Sequence, residues 1–205
     1  MLFKKSRKTN TNNLLSRRIC GAGITAAAAA FVLTLTSAGV PAASFEIDAK
    51  EFSEVGNTVL FGSYEQDGDT ENGKEDIEWI VMDVQDDKAL LVSKYALDVQ
   101  PYNAEDEAVT WETCTLRTWL NDDFLNEAFS KEEQAFIPET LVENPDNEAS
   151  RTKGGEDTRD KVFLLSLDEV QKYFPSDSDR ITCPTEYAFY EGCYSFNVQT
   201  QLRYI

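Results

Sequence analysis

Among the side chains able to do chemistry, the thiols come first. Cys183 and Cys193 stand ten residues apart around Pro184 and Gly192, a spacing that a local loop can close into a disulfide or keep as two free thiols. Cys114 lies far upstream and Cys20 sits in the basic N-terminal stretch. No C-x-x-C occurs, so neither a zinc knuckle nor a thioredoxin-like redox pair is supported. Histidine is absent from all 205 residues, which removes Ser-His-Asp and Cys-His mechanisms and every His-ligated metal centre. Gly154-Gly155 is the nearest approach to a phosphate loop, and it lacks the Lys-Ser/Thr that should follow.

The carboxylates are numerous and weakly patterned. Asp67, Asp69 and Glu71, with Glu78 further on, fall at positions one, three, five and twelve of an EF-hand-like count. Glycine arrives at Gly73, one place late, and the flanks read as strands where that loop needs helices. An acidic hairpin turn is the expectation, with no metal and no cofactor. Glu78 interrupts an apolar strand beside Trp79, where a period of two points it to solvent. Trp79, Trp111, Trp119, Tyr95, Tyr102, Tyr187 and Tyr190 could stack on sugar rings, but Trp79 and Trp119 recur at core spacing. No residue is marked as catalytic, cofactor-binding or metal-binding.

The compartment follows from the N-terminus. Lys4, Lys5, Arg7, Lys8, Arg17 and Arg18 precede an uncharged stretch from Ile19 to Val40, and Val40-Pro41-Ala42-Ala43 supplies small residues for cleavage. Residues 1–43 therefore read as a secretory signal, with retention as an anchor as the alternative. The whole chain carries a formal charge of −18, and without the signal 13 basic residues face 37 acidic ones, or −24. Such a surface repels nucleic acid and anionic membranes. The expected location is secreted or cell-surface, and the expected partner is an extracellular glycan or protein.

Elements able to hold such a surface can be read from periodicity. Residues 44–57 form a polar lead-in, and residues 58–205 a single domain. Val59–Tyr64, Ile77–Val84 and Ala89–Ser93 are apolar and β-branched, with turn residues between them, which predicts a three-stranded antiparallel meander. Leu116, Trp119, Leu120, Phe124, Leu125 and Phe129 then recur at three- and four-residue steps, which predicts helix. Ser130 with Glu133, and Ser166 with Glu169, have capping-box spacing, the second after a strand over Lys161–Leu165. The class is α+β, an antiparallel meander followed by short helices and further strands.

Phe61-Gly62-Ser63-Tyr64, Ile77-Glu78-Trp79-Ile80-Val81, Ala89 to Leu97, Leu116-Arg117-Thr118-Trp119-Leu120-Asn121 and Val162 to Ser166 occur in an order that resembles an exported bacterial domain-of-unknown-function family. The resemblance runs over about residues 58–203. It implies closing W-L-R-S-P-G and G-V-R-P motifs, of which only Leu202-Arg203 matches the first, so a domain shortened at its C-terminus is expected. Those motifs are similar to the ends of C-type-lectin-like and sulfatase-modifying-factor domains, which suggests that fold by analogy. The function implied is a non-catalytic binding or structural module. The alternatives are an enzyme of the sulfatase-modifying-factor type using Cys183 and Cys193, or a degenerate fragment without activity.

Overall fold

The computed structural model describes residues 24–25, 28–36, 47–147 and 151–193. Its frame is an antiparallel sheet. The predicted meander is present as β3 (Thr58–Tyr64), β4 (Glu75–Gln85) and β5 (Lys88–Ser93), after the short strands β1 (Ile24–Thr25) and β2 (Ala30–Thr34). Asp86-Asp87 turns β4 into β5, with Asp86 at a φ of 54°, the left-handed backbone that the tightest hairpin turns need and that Asp tolerates. Beyond lie β6 (Gln100–Pro101), β7 (Thr140–Val142), β8 (Thr158–Asp160) and β9 (Val162–Phe163). The strand order in the main sheet is β3-β4-β5-β2-β9, while β1 pairs β6 and β7 pairs β8.

One strand of this sheet comes from the segment read as an export signal. β2 runs antiparallel to β5 from Ala30 opposite Val92 to Thr34 opposite Lys88, and Ala30 and Phe31 also pair with β9. Phe31 and Leu33 are fully buried on one face, and Val32 and Thr34 are half-buried on the other. An uncharged Ala/Val/Leu/Thr run suits a buried strand as well as a bilayer, because both environments reject charge. The polar lead-in also contributes to the core, through Phe52 in a short 3₁₀ turn, Glu51–Ser53. The proposed cleavage site at Ala42–Ala43 lies outside the described residues.

The inner face of the sheet carries Phe31, Phe61, Ile77, Trp79, Val81 and Leu91 against a helical layer. That layer is α1 (Thr115–Trp119), a π-helical turn (Leu120–Phe124) and α2 (Leu125–Ala128), followed by α3 (Lys131–Gln134). Leu116, Leu120 and Phe124 are four apart, a step that overshoots an ordinary helical turn by about 40° each time. The wider π turn takes up that drift, so all three stay buried on one side. Phe129 ends the layer among Phe31, Phe61, Trp79 and Phe124, at centroid distances of 5.4 to 6.1 Å. Both capping boxes form, at Ser130/Glu133 and at Ser166/Glu169, the latter opening α4 (Leu167–Tyr173). A last helix, α5 (Glu186–Glu191), ends at Gly192 with φ 117°.

Gly62 is where sheet and helices come closest. Its φ is 69°, at the register shift between Leu60 and Ser63, and an added Cβ would lie 2.6 Å from the Ala128 carbonyl oxygen and from the Phe129 ring. Its N–H donates to Glu133 Oε1 at 3.1 Å, tying the bulge to the cap of α3. Gly62→Ala combines left-handed strain with a backbone clash and should lower stability by about 3 kcal/mol, read from urea unfolding.

Candidate functional site

A concavity lies over the outer face of the sheet. Val32 and Leu90, which face each other across β2 and β5, form its floor together with Phe163. The β7–β8 hairpin makes one wall through Leu141, Val142 and Arg159, and α4 makes the other through Asp168, Glu169 and Tyr173. The volume is about 740 Å³, within the range of ligand clefts, and it is open to solvent. Leu141 is 53% exposed in the wall, an apolar side chain with no core to join. The rim holds six carboxylates, Asp83, Asp86, Glu139, Glu143, Asp168 and Glu169, against only Lys88 and Arg159. Glu169 is held by the cap of α4, where it accepts from the Ser166 N–H at 2.7 Å.

Tyr173 anchors one end of this groove. Its hydroxyl donates to Asp83 Oδ2 at 2.9 Å, and the Lys172 ammonium lies 4.3 Å from its ring centroid and contacts the same carboxylate. The hydroxyl of Tyr173, ahead of the other partners, holds the Asp83 carboxyl below its usual range, while burial pushes the Tyr173 phenol up. One ring face is thus committed to a cation, which reduces the area open for stacking on a sugar.

The acids singled out in the sequence are brought only partly together. Asp67 and Asp69 cap their own loop: Asp67 Oδ1 accepts from the Asp69 N–H at 2.8 Å, its Oδ2 from Asn72 Nδ2 at 2.8 Å, and Asp69 Oδ1 from the Glu71 N–H at 3.1 Å. Glu78 is elsewhere, paired at 2.5 Å with Lys94. Glu65, Asp67 and Glu75 do bring carboxylate oxygens within 4.8 Å of one another. Glu65 accepts from the Gly68 N–H at 2.7 Å and Glu75 from the Gln66 N–H at 2.8 Å, so these oxygens serve the hairpin loop.

The cysteines among the described residues are unbridged. Cys183 is exposed and free, whereas Cys114 and Cys193 are buried and free. Burial pushes both buried thiols above their ordinary pKa, opposite to what a nucleophile or redox cysteine requires. The tryptophans are structural: Trp79 is wholly buried and donates to the Phe61 carbonyl at 2.7 Å, Trp111 is buried, and Trp119 is half-buried against Phe124. Tyr190 is 75% exposed on α5 and is not among the residues that line the groove.

The L-R-T-W-L-N stretch turns out to be a clamp. Arg117 Nε donates to Asp160 Oδ1 at 2.7 Å, and Asp160 Oδ2 accepts from Trp111 Nε1 at 2.9 Å and from Thr158 Oγ1 at 2.6 Å. Asn121 donates to the Val162 carbonyl at 2.8 Å and accepts from the N–H groups of Lys161 and Val162 at 2.8 and 3.1 Å. These residues fix β8 and β9, and with them one wall of the groove and part of its floor.

Several phenols set the alkaline limit of this arrangement. Burial, then the hydrogen bond from its hydroxyl to Asp98 at 2.5 Å, pushes Tyr64 far above the ordinary value of 10.0, and burial also raises Tyr102. A raised folded pKa gives stability that is fully present below the unfolded value and is lost as pH rises through the folded one. Lys161 opposes this, since burial lowers its pKa and relief comes as pH rises. Two deeply placed phenols outweigh one half-buried lysine, so urea midpoints should fall as pH is raised from about 9 to 11, and Tyr64→Phe should flatten that fall.

An antiparallel sheet with one face under helices and the other opening into an acidic groove defines an α+β domain. The chain belongs to the DUF6273 family, a domain of unknown function, whose model matches residues 86–193, just over half of its length. The match starts at the β4–β5 turn and includes the Arg117–Asp160 clamp and most of the groove. No curated protein and no solved structure matches the chain. Among the described residues, no helix is long and apolar enough to cross a membrane.

Proposed function

We propose that this chain is an exported, non-catalytic module that binds an extended, basic and partly apolar peptide segment of another protein in the groove floored by Leu90 of β5 and Phe163 of β9 and walled by the β7–β8 hairpin and α4. The groove carries this reading: an apolar floor, an exposed Leu141 and a rim of six carboxylates against two cations complement alternating apolar and cationic side chains. Burial of the Cys193 thiol, which pushes its pKa up, favours binding over the cysteine-pair enzyme. The basic N-terminus followed by an uncharged run supports export.

The test uses a fluorescein-labelled alternating Lys-Leu peptide, its Glu-Leu counterpart and chitohexaose. The Lys-Leu peptide should bind, weaken with salt, and lose about tenfold in affinity to Glu143→Lys combined with Asp168→Lys. Equal binding of both peptides, tighter binding of chitohexaose, or no effect of the double substitution would overturn the proposal.

A further inference from the structure

The loop between β3 and β4 carries a side-chain amide that the fold leaves open to attack by its own backbone. An asparagine lasts in a protein while the backbone nitrogen that follows it is kept from the carbon of its side-chain amide, and a Cβ on the following residue hinders that approach. Of the asparagines in the chain, Asn72 is the one followed by glycine. Asn144 precedes Pro145, which has no N–H, and the others precede residues with a Cβ. Asn72 and Gly73 are both exposed, in the turn that leads into β4. Gly73 has a φ of 99°, nothing lies within 4 Å of where its Cβ would be, and its N–H donates to no group among the described residues.

The Asp67-Gly68 pair in the same loop is closed to the equivalent reaction. The Gly68 N–H is committed to Glu65 Oε1 at 2.7 Å. The Asp69 N–H, and after it the Asn72 amide, hold the Asp67 carboxyl below its usual range, and an ionised carboxylate is a poor target for a nitrogen nucleophile. Asn72 has no such protection. Among the described residues its side chain is held by a single hydrogen bond, from Nδ2 to Asp67 Oδ2 at 2.8 Å, on an exposed surface.

We propose that Asn72 is a site of spontaneous, one-way modification that loosens the β3–β4 loop. The Gly73 nitrogen loses its proton to solvent base and bonds to Asn72 Cγ, the Cγ–Nδ2 bond breaks, and the amide nitrogen leaves as ammonia, closing a succinimide ring. Water then adds to one of the two ring carbonyls. Opening at the side-chain carbonyl gives aspartate, and opening at the backbone carbonyl of residue 72 gives isoaspartate, whose main chain runs through Cβ and Cγ. Nothing is oxidised or reduced, and water is the co-reactant. The donor that held Asp67 departs with the ammonia, and a carboxylate that repels Asp67 replaces it. The loop also supports α5, since the Gln66 carbonyl accepts from the Tyr187 N–H at 2.9 Å and a Cβ on Gly68 would lie 3.7 Å from the Tyr190 ring. None of residues 65–75 lines the groove, so the modification is independent of the ligand assigned there.

Peptide mapping by mass spectrometry of the full-length chain, aged in mildly alkaline buffer, tests the proposal. Asn72 should convert to a mixture of aspartate and isoaspartate ahead of every other asparagine, and faster as pH rises because the Gly73 N–H must lose its proton. Gly73→Ala should slow the conversion by more than about tenfold. Asn72→Gln, whose ring would need one more atom, should stay intact over the same period. Asn72→Asp supplies the carboxylate at once and should speed amide hydrogen exchange in residues 66–74 by more than about threefold, while binding of the Lys-Leu peptide stays as in the parent chain. Conversion at Asn72 no faster than at the other asparagines, a rate indifferent to Gly73→Ala, or unchanged loop exchange in Asn72→Asp would each overturn the proposal.

Discussion

Asp160→Ala should destabilise the domain by about 3–5 kcal/mol, although nothing in the local sequence marks this aspartate. The carboxylate is 2% exposed and accepts from Arg117, Trp111 and Thr158 at once, so its burial is compensated only while all three donors remain. Removing it leaves a half-buried guanidinium and a buried indole N–H facing a void. Asp160→Asn keeps the shape and some of the acceptors but removes the charge opposite Arg117, and should cost less. Arg117→Ala leaves the carboxylate without its counter-charge, so its cost should approach that of Asp160→Ala. The double variant Arg117→Ala/Asp160→Ala should cost clearly less than the sum of the two, a coupling that urea unfolding of all four chains measures. Because Asp160 ends β8 and Arg159 lines the groove, the same variants should weaken peptide binding.

The Arg117–Asp160 clamp shows where sequence reasoning stops. Leu116-Arg117-Thr118-Trp119-Leu120-Asn121 was visible as a pattern, and its apolar members predicted a helix. What Arg117 and Asn121 do depends on partners about forty residues away, on strands only two or three residues long. Elements set by local rules were legible: the β4–β5 hairpin from two apolar runs around Asp86-Asp87, and both capping boxes from Ser and Glu three apart. The π turn was not, since four-residue steps fit an ordinary helix nearly as well. Ala30–Thr34 illustrates a different gap, because hydropathy says that a segment leaves water without saying whether bilayer or sheet receives it. The groove was not legible at all. Its lining runs from Val32 to Tyr173 over strands, a hairpin wall and a helix, and acidic residues are common throughout so acidic a chain.

Trp79→Ala is the other large effect expected, about 3–5 kcal/mol, and its origin can be separated into two parts. The indole is wholly buried in β4, edge-on to Phe31 at 4.7 Å and stacked with Phe129 at 6.1 Å, so it joins the sheet to the end of the helical layer. Its Nε1 also donates to the Phe61 carbonyl on β3 at 2.7 Å, one residue before the bulge at Gly62. Trp79→Phe keeps an aromatic ring in the cavity and removes that donor, so it should cost about 1 kcal/mol from the hydrogen bond plus a smaller packing loss. Trp79→Ala adds the void, and the difference between the two variants measures the packing of the ring. If packing dominates, Trp79→Phe retains most of the stability and the slope of its urea transition is unchanged. A Trp79→Phe chain as unstable as Trp79→Ala would instead make the indole hydrogen bond the main restraint, and would identify the β3 bulge as the point from which the sheet comes apart.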